Sequence, residues 1–123
     1  MKKKTALILL AHGSRAPETL EEMEKLVVKL KRRRPDLTVK PAFLSMVKPT
    51  LNESIEQLSK HDVLKVEILP LFLFTGKHVL EDIPELIQQA QVQFPKLKIT
   101  AHKAIGHHSG FVDYLLAAGG LAE

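Results

Sequence analysis

The chain has 123 residues, 45% of them hydrophobic and 26% charged, which suits one globular domain over residues 1–123 and excludes a disordered segment. There is no cysteine, so disulfides, thiolate metal sites and cysteine nucleophiles are all excluded, and a reducing cytoplasm is the expected compartment. The formal charge of +4 is compatible with a small anionic ligand. With one Tyr, five Phe and no basic–aromatic interleaving, nucleic acid is not the expected partner.

The N-terminus reads Met1-Lys2-Lys3-Lys4 followed by an apolar run, Ala6 to Ala11. Signal peptides carry about seven to fifteen apolar residues and a small-residue cleavage site. This run is shorter and meets His12-Gly13-Ser14-Arg15, so residues 5–11 are expected to form a strand, apolar on both faces as in a covered parallel sheet. No stretch approaches the roughly 20 apolar residues of a membrane span, and no membrane partner is expected. A helix follows from Pro17 to Arg34, with Leu20, Met23, Val27 and Leu30 at three- and four-residue intervals. The cations at its end, Lys29, Lys31, Arg32, Arg33 and Arg34, offset the helix dipole, the plainer alternative to a polyanion site.

A second strand is expected from Leu37 to Leu44. A helix opened by Pro49 carries Leu51, Ile55 and Leu58 on one face and ends near Lys60. Val63 to Leu69 gives a third strand, continuing into Leu71-Phe72-Leu73-Phe74. Glu81-Asp82 followed by Pro84 reads as a helix start, since proline is tolerated in a first turn. That helix ends near Phe94, Leu97 to Ala101 is a fourth strand, and Ser109 to Ala118 a last helix before Gly119-Gly120. Four strand–helix units imply an α/β fold, a single four-stranded parallel sheet with helices on both faces. The flavodoxin-like order 2-1-3-4 is the default for so small an open sheet.

His12 ends the first strand, Ser45 follows 33 residues later at the end of the second, and His78 another 33 residues on, past the third. His108 follows the fourth. All four belong at the carboxyl edge of the sheet, where open α/β folds bind ligands. Two imidazoles on one edge can hold a divalent metal or take protons near neutral pH. A structural histidine at a strand end is the plain alternative for each. Gly13 permits a tight turn beside His12, and Ser14 or Arg15 can seat an anion. The segment from Leu71 through Phe74, Gly76 and Lys77 suits the wall of a pocket for a flat apolar ligand, unless the phenylalanines are simply core. No Gly-rich phosphate loop, nucleophile elbow or H-E-x-x-H zinc pattern occurs, so no nucleotide cofactor is expected.

The segments Ala11-His12-Gly13-Ser14-Arg15, Ala42-Phe43-Leu44 with Pro49 downstream, and Leu69 through Gly76-Lys77-His78 to Pro84 resemble the short form of sirohydrochlorin cobaltochelatase, the CbiX-like branch of the class II chelatases. The resemblance runs over essentially the whole chain and includes Gly106 and His108. It implies a chelatase-like fold acting as a homodimer. The implied reaction is insertion of a divalent metal into sirohydrochlorin or a related tetrapyrrole without nucleotide hydrolysis. Cobalt is the implied metal, with iron or nickel used by relatives. Carried across, His12 and His78 match the metal-handling histidines, which present the ion and help remove the pyrrole protons. Ser14, Arg15, Ser45, Phe74, Gly76 and Lys77 stand where substrate contacts would fall, the basic residues facing a polycarboxylate.

The chain departs from this pattern at Ser45, where the family usually carries a glutamate, and at Lys48, a second acidic position just before Pro49. A hydroxyl is a poor ligand for a divalent ion, and a lysine nearby repels a cation. The alternative expectation is therefore a non-catalytic relative that binds a tetrapyrrole or a metal. An unrelated flavodoxin-like interaction domain is a third. His107 and His108 are either substitute ligands or a solvated loop pair.

Overall fold

The computed structural model describes residues 4–122, apart from the side chain of His78. The lysines at positions 2 and 3 lie outside the described residues. The elements in chain order are β1 (Thr5–Ala11), α1 (Pro17–Arg33), β2 (Thr38–Phe43), α2 (Leu51–Ser59), β3 (Lys65–Pro70), α3 (Lys77–Gln93), β4 (Lys98–Ala101), a single 3-10 turn (Ile105–His107) and α4 (Gly110–Ala118). The strands form one sheet in the order β2-β1-β3-β4, and every pairing is parallel. The expected α/β class and strand order are what the chain adopts.

Alternation along the strands divides the core into two layers. On one face Ala6, Ile8, Leu10, Ala42, Val66 and Ile68 meet Leu51, Ile55 and Leu58 of α2 and Ile83 and Ala90 of α3. On the other, Leu9, Val39 and Phe43 meet Met23 and Val27 of α1. Each fully buried large aliphatic side chain contributes about 1.5–3 kcal/mol relative to an exposed one. The central strand β1 is therefore anchored from both sides, and its carboxyl end, where His12 begins, is the best supported point on the sheet edge.

Three features differ from the sequence-based expectation. Helix α2 begins at Leu51 because Thr50 caps it: the Thr50 hydroxyl accepts from the Glu53 N–H, and the Glu53 carboxylate accepts from the Thr50 N–H. Helix α3 begins at Lys77, a full turn before Glu81, so Pro84 lies inside it. An interior proline costs about 3 kcal/mol. The buried stripe of Ile83 and Ala90, flanked by Val79, Leu86 and Ile87 against the same core, offsets that cost.

The third difference concerns α4, which buries none of its residues and packs chiefly against the 3-10 turn. The sheet face over β3 and β4 opposite α3 is left without a helix, and there Glu67 and His102 pair at 2.6 Å. Among the described residues no helix is long and apolar enough to cross a membrane.

Candidate active site at the carboxyl edge

The carboxyl ends of β1 and β2 are drawn together by backbone geometry. The Leu44 N–H donates to the Ala11 carbonyl at 3.0 Å, and the Ser45 N–H to the His12 carbonyl at 3.1 Å. Gly13 takes φ +106°, and a Cβ built there would lie 1.9 Å from the Ser45 carbonyl oxygen. Only glycine combines that dihedral with so close an approach. The turn at residue 13 thus holds the His12 and Ser45 backbones side by side, as the 33-residue spacing and the strand order imply.

His12 and Ser45, with Leu44, line a cavity of about 470 Å³ whose opposite wall is α3. The His12 ring stands edge-on to Phe72, centroids 5.5 Å apart and planes at 87°, which orients the imidazole against the core. From α3, Asp82, Glu85 and Gln89 line the same cavity. The acidic Asp82 and Glu85, and Gln89 with them, are not among the site residues expected from sequence. They follow one another at three- and four-residue spacing, so all three share one helical face. Placing the helix start at Glu81 hid that face, because a first-turn acid reads as a cap rather than as the wall of a cavity.

His78 is the second residue of α3; its side chain is the one not described. Ser14 is committed locally, its Oγ accepting from the Ala16 N–H at 3.1 Å before α1. Arg15 is exposed beside it. Gly76 precedes α3 in extended backbone, and Lys77 opens the helix, exposed.

The phenylalanines divide. Phe72 is core at 7% exposure, whereas Phe74 is 92% exposed at the same edge of the sheet. The core alternative therefore holds for Phe72, while Phe74 stands in solvent.

Lys48 does not line the His12 cavity. Its Nζ lies 3.7 Å from the Glu53 carboxylate that also caps α2, and the side chain is largely in solvent. His107 and His108 do not reach the cavity either. The His107 Nε2 lies 3.3 Å from the Thr75 hydroxyl, and the His108 Nε2 lies 2.8 Å from the Lys103 carbonyl. Both are exposed, as the solvated-pair alternative expects, and His107 in addition links its turn to the segment after β3.

A parallel α/β sheet that offers an imidazole and two carboxylates to one cavity at its carboxyl edge defines an α/β ligand-binding domain. The chain belongs to the CbiX family, whose model matches residues 6–118. It is 28% identical over 121 residues to the sirohydrochlorin cobaltochelatase of Methanococcoides burtonii, covering 92% of each chain. It is 26% identical over 111 residues to the sirohydrochlorin ferrochelatase of Priestia megaterium, covering 90% of this chain and 42% of that one.

Among solved structures, a CbiX protein from Marinobacter aquaeolei VT8 shares the fold with TM-score 0.77 at 24% identity, over 95% of this chain and 97% of that one. The sirohydrochlorin chelatase SirB of Bacillus subtilis subspecies spizizenii, solved with cobalt, gives TM-score 0.77 at 27% identity, over 94% of this chain and 50% of that one. The chain thus covers more than nine-tenths of the Methanococcoides and Marinobacter proteins and half or less of the Priestia and Bacillus ones.

Proposed function

We propose that this chain is a chelatase that inserts a divalent metal into sirohydrochlorin. Family membership and the curated relatives, cobaltochelatases and ferrochelatases of that substrate, support the reaction class. The observation that carries the reading is the cavity shared by His12, Ser45 and the acidic face of α3. Cobalt is the proposed physiological metal, with iron and nickel as competitors; imidazole and carboxylate donors accept all three. No nucleotide takes part.

Insertion exchanges the two pyrrole protons of the macrocycle for one M²⁺ ion, so the site must deliver a cation and remove protons. His12 and His78 are the proposed metal-handling groups and proton acceptors. Imidazole suits both tasks near neutral pH. Asp82 and Glu85 give the cavity the negative charge that Ser45 does not supply, attracting the cation and stabilising imidazolium after proton transfer. The exposed Phe74 ring offers an apolar face to the planar macrocycle. Arg15 and Lys77 are the proposed partners of its carboxylates, with Ser14, Ser45 and Gly76 contributing backbone and hydroxyl contacts.

The whole chain is read as a single chelatase-like domain working in the cytoplasm, which the absence of cysteine supports. It is further read as a homodimer, since it covers only half of the Bacillus chelatase and two copies would supply that length.

Anaerobic incubation of the protein with sirohydrochlorin and Co(II), followed by absorption, tests the activity. The expected result is spectral conversion faster than the protein-free reaction, lost by at least about a hundredfold in His12→Ala and in His78→Ala. Tight binding of sirohydrochlorin without conversion would leave a non-catalytic binder and overturn the enzyme reading.

A further inference from the structure

Helix α4 is the least covered element of the described chain. Val112, Tyr114, Leu115 and Leu116 are all exposed, and the helix carries a single charge, Asp113. A helix of nine residues is about 13 Å long and too short to persist alone in water. One that is apolar around most of its circumference is built to be covered.

The same chain presents a matching surface. A groove of about 630 Å³ runs between α3 and the free edge of β4, with Val79, Ile83 and Ile87 on one side and Ile99 and Ala101 on the other. Its only formally charged lining residue is Lys103. The helix and the groove are therefore apolar surfaces with one opposite charge each.

The chain's own α4 does not fill this groove: none of its residues lines it, and the helix packs chiefly against the 3-10 turn. His107 of the 3-10 turn sits on the groove rim, and α4 begins at Gly110. Its entry is held to that turn by the Phe111 N–H, which donates to the His108 carbonyl at 3.0 Å.

We propose that α4 docks in the α3–β4 groove of a second copy of this chain, each copy giving its helix and receiving the other's. The exchange is reciprocal, as a two-fold interface requires. Leu115, Leu116 and Val112 enter the apolar floor, and Asp113 meets Lys103 across the interface. The inference deepens the homodimer reading above and rests on it. It also bears on the site, because Val79 lines both this groove and the His12 cavity. A docked α4 braces α3 from behind, keeping the helical wall that carries Asp82 and Glu85 in place.

Sedimentation velocity of the full chain at micromolar concentration tests this, with circular dichroism to confirm folding. The expected result is a dimer for the natural sequence and a folded monomer for the double variant Leu115→Asp with Leu116→Asp. Because both leucines are exposed, that variant keeps its core. Asp113→Lys alone and Lys103→Glu alone each weaken dimerisation about tenfold or more, and combining them restores it, as for close interfacial charge pairs.

A natural chain that sediments as a monomer overturns the homodimer reading and this inference with it. A dimer that survives the leucine double variant leaves the homodimer standing and overturns the docking of α4. Failure of the charge-swapped pair to restore association, when each single change weakens it, overturns the pairing of Asp113 with Lys103.

Discussion

The segments that follow β2 and β3 reach the same edge of the sheet, and each is clasped by a glycine from the neighbouring connection. Gly13 backs onto the Ser45 carbonyl, and Gly106 onto the Leu73 carbonyl, where an added Cβ would lie 2.0 Å away. Beyond the clasp they part company. After β2, the Phe43 N–H donates to the Pro49 carbonyl at 2.9 Å, and residues 44–50 end in the reciprocal Thr50–Glu53 cap.

After β3, the Gly106 N–H donates to the Phe72 carbonyl at 3.0 Å, but α3 then starts from Gly76 with no side-chain cap. One wall of the site thus ends in a reciprocal side-chain cap, whereas the other, held by the Thr75–His107 contact, enters its helix uncapped and leaves Phe74 in solvent. The first segment is suited to hold His12 and Ser45 in register. The second is suited to meet a planar guest.

This contrast can be broken most directly at Gly13. Gly13→Ala imposes both left-handed backbone strain and a collision with backbone, and is expected to cost about 3 kcal/mol or more in urea unfolding. An unchanged midpoint would mean that residues 13 and 45 are not clasped. Gly106→Ala meets the same kind of collision without a left-handed φ, so its expected cost is smaller, about 2 kcal/mol. If the two substitutions proved equal, the backbone strain assigned to Gly13 would have no place.

Thr50→Ala removes one half of the cap on the tied segment and should cost about 1 kcal/mol, read from the same unfolding curves. The smallest expected effect concerns pH. The Glu53 carboxyl is held below the usual glutamate range, first by the hydrogen bond from the Thr50 N–H, which outweighs the opposing effect of desolvation, with lesser help from the Thr50 hydroxyl and Lys48. A carboxyl depressed in the folded state stabilises it at neutral pH. That contribution fades as pH falls from the ordinary glutamate range through the depressed value. The stability gap between the natural chain and Glu53→Gln should therefore narrow on acidification; a gap that widened would reverse the sign of the assignment.

The amino-acid sequence alone determined the four strand–helix units and the positions of His12, Ser45 and His78, one crossover apart. Apolar runs, three- and four-residue periods and strand ends are local signals, written within a dozen residues of where they act. Even Pro84 was legible as a helix signal. Its place inside α3 was not, because the burial that offsets an interior proline comes from packing against α2 and β4, outside the helix itself.

Tertiary packing decided the rest. It turned Asp82 and Glu85 toward the His12 cavity, tied Lys48 to Glu53, set Phe72 in the core while leaving Phe74 in water, and left α4 uncovered. Each of these depends on which elements lie side by side and at what register. That is set by the summed burial of the whole sheet and its helices, and no residue encodes it alone.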